Sequence, residues 1–428
     1  MLALPRLTPF DPPAGSEGTL DPLGLYQIAD QLATRLVPAV RERMQRIRFL
    51  TALAVGAQVT DGLEVDPEQP DCPPHLIWEW LVVEALVRKW GDEGGLRGVP
   101  GSQVTRRALA DYGYLDARSY LKTPRIFGFH GVYKRLAVHL GLVDVHLGRR
   151  PESETLVDAW ARDQGYQGLR EARAFLQAMR DGVQRGLSRR PCRTRPAWKR
   201  AEWDHLATAF LPEGAGVQEK AVLHRLLHAT DEKALGALPA IWNLQDDFKD
   251  DEYGEEVLHA RLKQTLPSVG TLLDAIGAYE EFCRSLQDGF DLLRASAGTQ
   301  DARGFLVSSM ANDPDFVQSL DGLEHRYSAV HQCLDALDVR LDLQFAERFG
   351  GFSKPLDAAE AARQMCEHHE AIQKGKGAEG KRAWFDRLAP DRIYLRHRYR
   401  ESRREPEPGR FVHAYRARPI RDFYTDLR

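Results

Sequence analysis

Two stretches of the chain repeat apolar residues at heptad spacing, and this limits the possible fold more than any other feature. Leu272, Ile276, Tyr279, Cys283, Leu286, Phe290 and Leu293 step by 4-3-4-3-4-3, and Leu323, Tyr327, Val330, Leu334, Leu337 and Leu341 by 4-3-4-3-4. A repeat averaging about 3.5 residues keeps one apolar stripe of a helix turned toward a partner. Each series therefore predicts a helix, and Gly298, Gly304 and Pro314 predict a break between the two. Joined in this way they form a helical hairpin or two members of a bundle. A bundle core is the simpler reading than an exposed coiled-coil arm.

Helical patterning also dominates the rest of the 428 residues. The first ~18 residues read as a flexible, Pro- and Gly-rich lead-in. Asp21-Pro22 supplies a capping acid and a first-turn proline ahead of Leu25, Ile28, Leu32 and Leu36. Pro38 ends that helix, and Val40, Met44, Ile47 and Thr51 predict a second. Leu76 to Val87, launched by Pro73-Pro74, is apolar nearly all round, which predicts a helix at the centre of a domain with Trp78, Trp80 and Trp90 packed around it. Phe175, Met179, Val183 and Leu187 mark another helix, and Arg185 to Arg200 reads as a basic linker. The expected fold class is mainly α. Five segments follow from these patterns: an N-terminal helical domain (1–100), a compact module (101–150), a helical domain (151–260), the heptad region (261–354) and a basic C-terminal module (355–428).

Composition narrows the functional classes. With 43% hydrophobic and 28% charged residues the chain is neither disordered nor collagen-like. Its five cysteines contain no C-x-x-C pair, which argues against a disulfide framework or a zinc ribbon and predicts reduced thiols in a cytoplasm. The most apolar run contains Glu79 and Glu84 and is too short to span a bilayer, so no membrane role is expected. A net charge of −3 conceals three basic segments: 101–150 (+6), 185–200 (+7) and 374–428 (+8). Gathered positive charge favours a polyanionic partner.

Residues 101–150 carry the most specific pattern. Gln103 to Tyr112 predicts a short helix, Thr123-Pro124 a helix start, and Val132 to Leu140 an amphipathic helix stopped by Gly141. Leu142-Val143-Asp144-Val145 alternates as a short strand before the basic turn His146 to Arg150. Gly128 and Gly131 each disfavour a helix by about 1 kcal/mol relative to Ala, which puts the start of the second helix near Val132 and leaves Thr123 to His130 as a loop. Helix, turn, helix and basic turn over about 50 residues resemble the winged-helix variant of the helix-turn-helix DNA-binding family. The resemblance implies that Arg125, Lys134, Arg135, Arg149 and Arg150 meet phosphates, with Thr123, Arg125 and His130 nearest the base edges.

The C-terminal module adds a second set. A helix is predicted over Leu356 to Ile372. The loop Gly375 to Lys381 matches half of a P-loop but has Arg382 where the Mg²⁺-binding Ser or Thr would stand, and no strand precedes it. Lys376, Lys381 and Arg382 beside Trp384 suit phosphate contact instead. Ile393 to Tyr399 and Arg410 to Arg416 alternate as two strands, predicting a hairpin with Arg396 and Arg398 on an exposed face. Cys366, Glu367, His368, His369 and Glu370 are metal-capable, with His397 and His413 as further candidate ligands, but their spacing is not that of a known site. The acidic run Asp246 to Glu252 lacks an EF-hand glycine and reads as solvated.

Together these patterns lead to the expectation of a non-catalytic nucleic-acid-binding protein, for duplex DNA, that also holds other protein subunits and needs no cofactor and no small-molecule substrate. A winged-helix module fused to helical interaction domains resembles subunits of bacterial DNA-processing or anti-phage defence systems. Two alternatives stand beside this reading. One is a metal-dependent nuclease or hydrolase using Glu367, His369, His397 or His413, and the other is a scaffold without nucleic-acid affinity.

Overall fold

The first heptad series folds as a single helix, Gly270–Gly298, and every residue of its seam is buried. The second series occupies Leu323–Leu337 but does not run through to Leu341. Asp338 breaks it by adopting an extended backbone, and its carboxylate caps a new helix, Val339–Phe349, by accepting the Arg340 amide at 2.8 Å. Leu341 is buried from this third helix. The rings of Tyr327, Phe345 and Phe349 close on Phe282 at 5.2–6.2 Å between centroids. Each such ring contributes roughly 1.5–3 kcal/mol by leaving water, so the seam is the core of a bundle.

The computed structural model describes residues 21–91, 96–165, 169–194, 198–229, 235–247, 254–300, 303–376 and 380–428. Among them the protein is mainly helical, with a small antiparallel sheet near the C-terminus. The chain divides into two compact units, one comprising residues 1–35 and 249–415, the other 36–248 and 416–428. No helix among the described residues is long and apolar enough to cross a membrane.

In the first unit the bundle carries three short strands: β1 (Phe305–Leu306), β2 (Phe385–Ala389) and β3 (Arg392–Leu395), in the order β1-β3-β2. This corrects the expected hairpin. β3 pairs with β2, Phe385 opposite Leu395, and with β1, Phe305 opposite Ile393, and Arg410 to Arg416 forms no strand. There the amides of Val412 and His413 donate to the buried carboxylate of Glu280 instead of to a sheet edge. Beyond Leu395 the Arg396 amide donates to the Trp384 carbonyl at 3.1 Å, and residues 397–399 coil into a 3-10 turn.

The predicted C-terminal helix forms as Ala358–Lys374, with Asp357 as its cap. Its His368 and His369 are buried structural residues. His368 Nε2 meets the Leu23 carbonyl at 2.8 Å. His369 holds two partners: Nδ1 meets the Pro22 carbonyl at 2.9 Å, and Nε2 accepts the Trp384 amide at 3.0 Å. Accepting at Nε2 requires the neutral ring.

In the second unit the apolar run forms a helix, Pro74–Trp90, buried from Leu76 to Val87 with Glu79 and Glu84 included. Trp78 donates to the Ala52 carbonyl at 2.9 Å. Gly56 permits this approach, since a Cβ there would lie 2.5 Å from the indole. Trp160 and Phe210 stack at 5.4 Å. The helix predicted over Val40 to Thr51 begins only at Phe49. Before it, Arg46 pairs with Asp426 at 2.8 Å, and the buried Arg48 reaches Glu219 at 3.2 Å and the Ala209 carbonyl at 3.0 Å. These long-range anchors hold the backbone in turns that local helical spacing does not anticipate. The basic segment after Leu187 is docked, with Cys192 and Thr194 buried and Arg190 paired to Asp66. Residues 195–197 of the expected linker lie outside the described residues, as do 248–252 of the acidic run.

Burial, opposed by the bond to Pro22, pushes the His369 imidazole down to about 4 from an ordinary 6.5. Its contribution to stability is complete above pH 6.5 and is lost as pH falls from 6.5 through 4, by up to about 3 kcal/mol. Urea denaturation across that window should record the loss, and the His369 ring resonances should remain those of the neutral form down to about pH 4.

Candidate nucleic-acid interface

The module at 101–150 is assembled around one buried acid. Glu79 projects from the Pro74–Trp90 helix and accepts three hydrogen bonds. Tyr120 Oη donates to Oε1 at 2.9 Å, the His130 amide donates to Oε2 at 2.8 Å, and His130 Nδ1 lies 2.7 Å from the same oxygen. Gly128 makes this possible, because a Cβ there would stand 2.0 Å from Glu79 Oε1. At Gly131 a Cβ would stand 2.2 Å from the Arg125 carbonyl. The two glycines that disfavour a helix are therefore required by packing, and the helix starts at Phe129 and runs to His139 instead of starting at Val132. A single turn, Pro124–Phe127, precedes it, and Ser102–Tyr112 forms the first helix.

The expected strand pairing shrinks to one bridge, Val143 to Arg149. Asp144 shapes the turn by accepting the Gly148 amide at 2.8 Å and the His146 amide at 2.7 Å. These bonds, Gly148 first, hold its carboxyl below the ordinary value.

The structure separates the expected contact residues. His130 is only 4% exposed and cannot reach a base edge. Its Nδ1 faces Glu79, and its Nε2 has no hydrogen-bond partner among the described residues. Thr123 and Arg125 are exposed, and beside them Ile126 and Phe127 are 49% and 41% exposed. Lys134 is half-buried, while Arg135, Arg149 and Arg150 are exposed. Arg149 pairs with Asp61 at 3.1 Å across the surface. Among the described residues, Arg125, Lys134, Arg135 and Arg150 have no carboxylate within ion-pair distance. Beside this module the ring of His75 lies 4.8 Å from that of His130. Burial, then the charges of His130, Lys134 and Arg125, push His75 down to about 3.

No family model, curated protein or solved structure matches the chain.

The second expected contact surface is exposed only in part. Arg396 is 3% exposed and pairs with Asp386 at 3.0 Å, because the strand ends before it and turns it inward. Arg382 shares the same carboxylate at 3.1 Å. Lys376 donates to the Asp21 carbonyl, and Lys381 is half-buried, its amide bonded to the Gln373 carbonyl at 2.8 Å. Arg398 is exposed. Residues 377–379 of the P-loop-like segment lie outside the described residues.

The proposed C-terminal metal ligands are not brought together either. Glu367 and His397 are exposed, His369 is occupied at both nitrogens, Glu370 makes a bidentate pair with Arg387, and Cys366 is buried. His413 instead meets Glu280 at 2.7 Å. Sequence reasoning passed over His75, Glu79, Tyr120 and Glu280. The available signal was an acid within a run that is otherwise apolar, since a buried carboxylate must collect donors.

Replacing Glu79 with Leu leaves three buried donors unsatisfied and should cost about 3–5 kcal/mol. Gly128→Ala should destabilise by about 1–3 kcal/mol through the overlap with the Glu79 carboxylate. Chemical denaturation of the full chain measures both, and a neutral result for either would contradict this architecture.

Proposed function

We propose that the second unit binds the phosphate backbone of a nucleic acid, with duplex DNA as its form, and carries out no reaction on it. The observation that supports this reading is that, among the described residues, Arg125, Lys134, Arg135 and Arg150 form no ion pair with a carboxylate, Arg150 acting on Asp144 only through its field. Unpaired cations at a surface keep their field for an incoming polyanion, whereas Arg396 and Arg382 spend theirs on Asp386. The order of helix, turn, helix and bridged turn agrees with the winged-helix likeness. The helix in the recognition position, however, buries its first turn against Glu79 and carries Arg135 exposed and Lys134 half-buried as its cations. Contact is therefore to phosphates, which position a protein without reading sequence. Thr123 and the exposed pair Ile126 and Phe127 flank these cations. Arg149 is a weaker contributor, because its surface pair with Asp61 must be given up.

Binding to a duplex of about 30 base pairs should weaken linearly on logarithmic axes as salt rises, with a slope of about −0.9 per phosphate, or about −3.6 if four cations engage. The Arg125→Ala, Lys134→Ala, Arg135→Ala, Arg150→Ala quadruple variant should lose both affinity and slope, while Arg396→Ala should retain the slope. Unchanged binding by the quadruple variant, measured by gel shift, would refute the assignment.

A further inference from the structure

In the first unit, the helix that carries the bundle seam also carries Glu280 and Cys283, one turn apart on the same face. Both are buried, and His413 reaches them from the irregular segment 400–416. One ligand atom from each of the three lies within 4.8 Å of the other two. We propose that Glu280, Cys283 and His413 form a binding site for a zinc-type divalent cation.

The donor set argues for this ion class. Sulfur and imidazole nitrogen select borderline-soft metals, and a carboxylate completes three protein ligands, leaving a fourth position for water or another ligand. Magnesium and calcium, which demand oxygen shells, do not suit it. The outer shell is also built. Tyr415 Oη donates to Glu280 Oε1 at 2.6 Å, and the His413 amide donates to Oε2 at 3.2 Å, fixing the carboxylate as supporting partners of metal ligands do. Tyr279, immediately before Glu280 on the helix, is anchored by its bond to the Leu25 carbonyl at 2.7 Å. A cleft of about 840 Å³, lined by Glu280, Arg284, Asp288, Arg410 and Phe411, borders the Glu280 end of the site.

His413 Nδ1 now lies 2.7 Å from Glu280 Oε1. Oxygen and nitrogen in a tetrahedral zinc shell stand about 3.3 Å apart, so loading would separate them by roughly 0.6 Å. His413 belongs to an irregular segment, where a side chain can make that shift without breaking helix or strand.

The test is titration of the full chain with Co²⁺. The wild type should develop a thiolate-to-cobalt charge-transfer band that Zn²⁺ bleaches by displacement. Cys283→Ser, nearly isosteric, should lose the band while keeping the far-UV circular dichroism of the wild type. His413→Ala should weaken Co²⁺ binding by more than the roughly 10- to 100-fold that loss of an outer-shell partner costs. Absence of the band in the wild type at saturating Co²⁺, its persistence in Cys283→Ser, or wild-type affinity in His413→Ala would each overturn the site. The wild-type titration decides the question even if a variant fails to fold.

Discussion

A carboxylate buried within an apolar helix must collect its hydrogen-bond donors from other parts of the chain, and both units are organised by this requirement. Removing an ionisable group from water costs several kcal/mol unless donors replace the lost solvent. In one unit Glu79 draws in Tyr120 together with the amide and ring of His130. In the other, Glu280 draws in the amides of Val412 and His413, the His413 ring and the Tyr415 hydroxyl. Each acid thus brings a segment distant in sequence onto a central helix and sets the course of its backbone. The first turn of the Phe129–His139 helix is held in this way, and so is the irregular path of residues 411–415.

The same accounting explains how the basic residues divide. Arginines that meet a carboxylate or carbonyl inside the fold become structural, as Arg48 does with Glu219 and Arg396 with Asp386. Those that form no ion pair among the described residues retain much of their charge for something else, and Arg125, Lys134, Arg135 and Arg150 belong to this second group. A count of lysines and arginines per segment cannot distinguish the two, because pairing depends on which acids fold beside them. The C-terminal segment carries the largest positive excess, yet two of its arginines share one aspartate.

Much of the helical architecture was legible. The heptad stripe from Leu272 to Leu293 became one buried helix, and the apolar run at Leu76 to Val87 became a central one, because periodicity reports directly which faces must leave water. Errors arose where a local preference met a stronger distant partner. Gly128 and Gly131 argued against helix, but the space their missing side chains leave is what admits Glu79 and the Arg125 carbonyl. Alternation at 393–399 and 410–416 suggested two paired strands. β3 instead pairs with β2, and the amides of the second segment were already taken by Glu280.

The sequence by itself determined that the chain is mainly helical, where its longest apolar stripes lie and that its positive charge is clustered along the chain. These are properties of neighbouring residues, and local backbone geometry with the hydrophobic effect suffices to express them. Only the tertiary structure decided which cations stay unpaired, that His130 is buried, and that Glu280, Cys283 and His413 meet. Those outcomes depend on contacts between residues far apart in the chain, and solvation and pairing energies act on distance in space, not on order in sequence.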